Sequence, residues 1–141
     1  MSEEFFQPIE HIIQEDPAGC MIACLAMIRG VSYQEVKAEF YGGFENDGIT
    51  EGVAWDYLSA YGYTVIYRRV HCSSNPAEGH LHLKQPFAPV HLVCVRDFAN
   101  APHYHGVVML DDGKILNPRK NGVTELSAYF EVISVAGVWK P

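Results

Sequence analysis

Gln14-Glu15-Asp16-Pro17-Ala18-Gly19-Cys20-Met21-Ile22-Ala23-Cys24-Leu25-Ala26-Met27-Ile28-Arg29-Gly30 is the stretch on which the reading of this chain turns. From Cys20 to Ile28 it is apolar nearly all round, which predicts a buried helix rather than a surface one. Asp16-Pro17 supplies a cap and a first helical position, and Gly30 the stop. Cys20 then stands where the helix opens, and the unpaired N–H groups and helix dipole there favour a thiolate. Cys24 lies one turn further in, on the same face, and is expected to be core packing.

Working outward, residues 1–16 contain Pro8 and are expected to form an extended strand or loop. Ser32-Tyr33-Gln34-Glu35 fits a capping box, so a second helix should run to about Phe40 and end at Gly42-Gly43. Thr50 caps a third helix, with Val53, Trp55, Tyr57 and Leu58 mostly inward and Gly62 as terminator. After Gly62 the pattern changes. Residues 63–67 and 90–95 are β-branched or apolar runs of strand length. Residues 106–110 and 114–116 flank Asp111-Asp112-Gly113, a hairpin turn, and residues 132–139 make a closing strand. The polar connection between Tyr67 and Val90 is a lid, an insertion or an edge element. Helices first and strands second predict an α+β architecture, a helical half packed on an antiparallel sheet with a cleft between the two.

Composition narrows the function. The chain has 141 residues, 48% of them hydrophobic, with ten basic and seventeen acidic side chains and a net charge of −7. One domain, residues 1–141, is expected at this length. The missing Lys/Arg footprint argues against nucleic acid as partner. No stretch approaches the ~20 apolar residues of a membrane span. Acids occupy the start, Met1-Ser2-Glu3-Glu4, where a secretory signal carries basic residues, so a cytoplasmic protein is expected. Cys20, Cys24, Cys72 and Cys94 do not form a disulfide scaffold, because the chain is too long and apolar to need staples. Of seven histidines, His71, His80, His82, His91, His103 and His105 crowd one stretch. Only His80-Leu81-His82 and His103-Tyr104-His105 resemble ligand pairs, and no cysteine pair has zinc spacing. The expectation is no metal and no cofactor, with a small zinc protein as the rival. His11, His71, His80, His82 and His91 are expected on the surface or in loops.

One constellation carries chemistry. A nucleophilic thiol needs to ionise near neutral pH, a base nearby, and donors aimed at the oxyanion. Cys20 opens the helix, and His105 begins a strand that the fold can bring opposite it. Asn117-Pro118 follows the partner strand of that hairpin, so Asn117 can hold the imidazole. Gln14, six positions ahead of Cys20, can donate its amide to the oxyanion together with the Cys20 N–H. His103, one strand period from His105, is a rival base.

The stretch from Gln14 to Ile28 resembles the nucleophile motif of the bacteriocin-processing, double-glycine-leader cysteine peptidases. In that family a Gln lies five residues ahead of the Cys and an Ala-Cys-Leu run follows. Gly30-Val31-Ser32, Gly48-Ile49-Thr50, Tyr61-Gly62-Tyr63, Pro89-Val90-His91-Leu92, His105-Gly106-Val107-Val108 and Leu126-Ser127 are similar to further family segments. Asn117-Pro118 stands where the family has Asp-Pro. Gly19 and Met21 replace its acidic and small neighbours of the Cys. The resemblance implies a papain-like fold in a stand-alone form, with Cys20 as nucleophile, His105 as general base, Asn117 as orienting residue and Gln14 as oxyanion donor. It implies a peptide or protein substrate and amide-bond hydrolysis. A glutamine deamidase or acyltransferase with the same machinery, and a non-catalytic peptide-binding module, stand as alternatives.

Overall fold

The computed structural model describes residues 8–40, 48–69, 86–96, 104–120, 122, 124 and 131–141. Helix α1 spans Cys20–Arg29, and every residue from Met21 to Ile28 is buried. A helix with no polar face can only be stable when surrounded, and α1 is enclosed by α2 (Tyr33–Glu39), α3 (Glu51–Ala60) and the sheet. Gly30 ends it in the left-handed conformation, at φ 71°, as expected. Its start differs from the expectation. Residues 16–18 form a turn in which the Gly19 N–H donates to the Asp16 carbonyl, and the helix begins only at Cys20. Asp16 is no cap, because its carboxylate accepts from the Tyr33 hydroxyl at 2.7 Å and from Lys37 Nζ at 3.2 Å.

The capping box at Ser32 and Glu35 forms as read, and Thr50 Oγ1 caps α3 by accepting from the Val53 N–H. Val53, expected inward, is exposed, since the buried stripe runs through Ala54, Trp55 and Leu58. At about 100° per residue, Val53 falls roughly on the opposite side of that stripe. At the other end of α1, the Arg29 guanidinium donates to Glu39 at 3.0 Å and to the Tyr57 hydroxyl at 2.7 Å. It also lies 3.7 Å from the Tyr61 ring centre, so one cation ties α1, α2 and α3 together.

Among the described residues five strands follow: β1 (Thr64–Arg69), β2 (Val90–Arg96), β3 (Tyr104–Leu110), β4 (Ile115–Leu116) and β5 (Glu131–Trp139). They form one antiparallel sheet in the order β1-β5-β2-β3-β4. The architecture is therefore α+β, as the order of patterns implied. Alternation sorts the two faces. Val90, Leu92, Cys94 and Val108 face the helices, while Val93, Val95, Val107 and Met109 face away. In β5 the parity switches at a register shift between Cys94 and Val95, which are partnered by Ser134 and Val132. Ile133 is the extra residue there, so Val132 joins Val135 on the far face. The Asp111-Asp112-Gly113 turn closes the β3–β4 hairpin, with Gly113 at φ 88°.

The expectation of a surface position for His91 is corrected: it is fully buried in β2. Its Nδ1–H donates to the Met109 carbonyl at 3.2 Å, and its Nε2 accepts from the N–H groups of Phe87 and Ala88. Burial holds its pKa below the ordinary histidine value. His71, His80, His82, His103 and Cys72, the Gly42-Gly43 stop, Leu126-Ser127 and most of the connection before Val90 lie outside the described residues.

As the pH falls below about 6.5, the unfolded chain takes up a proton at His91 that the folded protein resists. The stability linked to this ring is thus complete above the ordinary value and is lost as pH drops through the lower folded one. Melting temperatures between about pH 7 and 5 should fall more steeply in the wild type than in His91→Gln. Identical slopes would exclude this ring as the source.

Candidate active site

Cys20 is the first residue of α1 and half-buried. Its Sγ accepts from the backbone N–H of Gly106, in β3, at 3.4 Å. This bond crosses from the helical layer to the sheet. The Met21 side chain packs onto the open side of Gly106, where a Cβ would come within 2.8 Å of Met21 Sδ. The residue after the sulfur therefore sits directly on the strand.

Burial is the strongest influence on the Cys20 thiol and pushes its pKa up. The N–H groups of Gly106 and Met21, the Arg119 charge and the residue's own N–H pull the other way without reversing the shift. The sequence expectation that the helix start favours a thiolate is corrected in its balance: desolvation outweighs it. Ionising this thiol near neutral pH needs a proton acceptor.

His105 is buried at the second position of β3, one residue from the Gly106 N–H that meets the sulfur. Its Nε2 lies 2.8 Å from Asn117 Oδ1. Asn117 is buried just beyond β4, and the same Oδ1 accepts from the Arg119 N–H at 2.9 Å. A backbone N–H can only donate, so the amide atom that meets it is the oxygen. His105 Nε2 must then carry the proton, which leaves Nδ1 as the basic nitrogen of the ring. Gly122 closes over the Asn117 amide, and a Cβ there would lie 2.6 Å from Asn117 Cγ. The His11 ring contacts the Asn117 carbonyl at 2.5 Å from its Nε2.

Gln14 lies in the segment leading to Cys20. Its backbone N–H donates to the Pro118 carbonyl at 2.8 Å, which ties it to the Asn117 loop. Its Nε2 donates to the carbonyls of Asp16 and Pro17, both at 3.0 Å, and its Oε1 is buried with no hydrogen-bond partner. The amide thus braces the turn before the nucleophile. Sequence reasoning missed Gly106 and Arg119, because a backbone donor and a charge acting from another element leave no spacing pattern. It also missed Tyr33, whose hydroxyl occupies the space a side chain at Gly19 would need. A cavity of about 810 Å³ lies elsewhere, between residues 8–15 and the far end of α1; Tyr33 lines it, but Gln14, Cys20, His105 and Asn117 do not.

No protein-family model and no curated protein matches the chain. Among solved structures it is similar to a double-glycine-motif protease from an AMS/PCAT transporter, determined in complex with the leader peptide. The match has a TM-score of 0.64 at 18% identity and covers 94% of this chain and 92% of that one. The two chains share a fold. The match covers nearly the full length of each, so the likeness extends over the helices and the sheet together. No helix among the described residues is long and apolar enough to cross a membrane.

Gly122→Ala should displace the Asn117 amide and cost about 1–3 kcal/mol of stability, with altered ring-nitrogen shifts of His105 by NMR. Gly52→Ala, in α3 with open space around its Cβ position, should instead raise stability by up to about 1 kcal/mol. Equal effects in denaturant titrations would contradict this assignment of the two glycines.

Proposed function

We propose that the chain is a papain-like thiol hydrolase that cleaves an amide bond in a peptide or protein substrate. The observation that carries this reading is the Nε2–Asn117 hydrogen bond of His105, on a strand whose next N–H meets the Cys20 sulfur. His105 Nδ1 takes the thiol proton, and the Cys20 sulfur attacks the carbonyl carbon. The oxyanion is met by the Cys20 N–H, one of the donors at the helix start, and by Gln14 Nε2, which exchanges a carbonyl of the turn for the substrate oxygen. His105 then delivers its proton to the leaving amine, and water hydrolyses the thioester with His105 again as base. Asn117 keeps the ring in one tautomer throughout, the same part an acidic residue plays in related triads.

The fold shared with a double-glycine-motif protease supports peptide cleavage over other acyl chemistry. A peptide-binding module that does not cleave has one observation in its favour, the upward push of burial on the thiol. The two readings differ in a measurable way. An enzyme needs His105 to draw the proton off, so its alkylation rate is already high near pH 7. A binder's rate rises only at or above the ordinary thiol value of about 8.5.

Cys20→Ala should abolish covalent labelling by an acyl electrophile, and Cys24→Ala should leave it intact. In His105→Ala only burial and the fixed donors act on the sulfur, so the midpoint of the alkylation–pH curve should move above about 8.5. A wild-type midpoint already there, unmoved by the substitution, would remove the hydrolase reading.

A further inference from the structure

Two sulfurs that the hydrolytic steps do not use lie in the same interface as the nucleophile. Cys24 is one turn along α1 from Cys20 and completely buried. Cys94 is paired across β2–β3 with Gly106, the residue whose N–H meets Cys20 Sγ. Residues paired in this way project to the same face, and the open side of Gly106 looks onto Met21, so Cys94 faces α1 as well. All three are thiols. Of these three, only Cys20 is exposed enough to meet a small oxidant, because Cys24 is sealed and Cys94 is buried.

We propose that Cys20 and Cys24 form a reversible oxidation site that switches the nucleophile off. This rests on the reading of Cys20 as the reactive thiol. A hydroperoxide is the oxidant: the Cys20 thiolate attacks one oxygen, the O–O bond breaks, and the other oxygen leaves as hydroxide. Sulfur loses two electrons, peroxide gains them, and Cys20 becomes a sulfenic acid. The Cys24 sulfur then attacks the Cys20 sulfur. The S–O bond breaks, the S–S bond forms, and the Cys24 proton leaves with the oxygen as water.

Helix geometry favours Cys24 as the partner. Four residues along a helix separate the two Cα atoms by about 6 Å, inside the range disulfides span. The Cβ atoms, about 5–6 Å apart, must approach by roughly 1–2 Å. The first turn is the place that can yield, since Gly19 offers α1 no side-chain cap. A bond closed against that resistance is readily reduced, which makes the site a switch rather than a staple. Burial, followed by the charges of Cys20 and Cys94, holds the Cys24 thiol well above its ordinary pKa. A neutral sulfenic acid at Cys20 removes one of those charges as resolution begins.

The tryptic map separates the possibilities. Residues 1–29 contain no Lys or Arg before Arg29, so Cys20 and Cys24 share one peptide, while Cys94 falls in residues 85–96. After peroxide, peptide 1–29 of the wild type should be lighter by two hydrogens, and Cys20 labelling should be lost. Dithiothreitol should restore both. In Cys24→Ala the same dose should leave peptide 1–29 heavier by two or three oxygens, with labelling permanently lost. A cross-link between peptides 1–29 and 85–96, or irreversible oxidation in the wild type, would overturn the proposal. Because the wild-type map is decisive by itself, a poorly folded variant does not blunt the test. Failure of labelling before any peroxide would count against the hydrolase reading instead.

Discussion

The site depends on how closely the start of α1 can approach β3. That distance is set by Gly106, whose lack of a side chain admits Met21 and whose N–H reaches the Cys20 sulfur. A side chain there would displace the end of the Met21 side chain, which packs directly on the strand. Burial of all eight residues from Met21 to Ile28 supplies the force that holds the helix in place. The same packing desolvates the thiol, so the stability of the fold and the readiness of the sulfur to ionise oppose each other.

The turn before the nucleophile is braced from α2. Tyr33 and Lys37 hold the Asp16 carboxylate, and Gln14 holds the carbonyls behind it. Tyr33 fills the volume above Gly19, so only glycine fits immediately ahead of Cys20. The Asp16 carboxylate is engaged by a hydroxyl and an ammonium, which hold its pKa low.

Two buried histidines show how wiring decides chemistry. His91 donates from Nδ1 and accepts two backbone N–H groups at Nε2, so both nitrogens serve the fold. His105 donates from Nε2 to Asn117, and its Nδ1 remains the ring's acceptor. Both stand in strands of the sheet, and composition alone does not distinguish them. The difference lies in their neighbours: the N–H groups of residues 87–88 meet Nε2 of His91, whereas the Asn117 amide oxygen meets Nε2 of His105.

Much of the fold was legible because local rules act within a few residues. The apolar run of α1, the Ser32 box, the Thr50 cap and the Asp111-Asp112-Gly113 turn each state their structure locally, and all are present. The use of Asp16 as a brace rather than a cap, the outward Val53 and the buried His91 were not legible, since each is decided by a partner distant in sequence. The chain by itself determined which elements form, in what order, and that a cysteine would open the buried helix. Only the tertiary structure decided what meets that sulfur and what braces the turn ahead of it, because the Gly106 donor lies 86 residues away and the Tyr33 brace comes from another helix, and contacts of that kind are chosen by packing and desolvation rather than by local propensity.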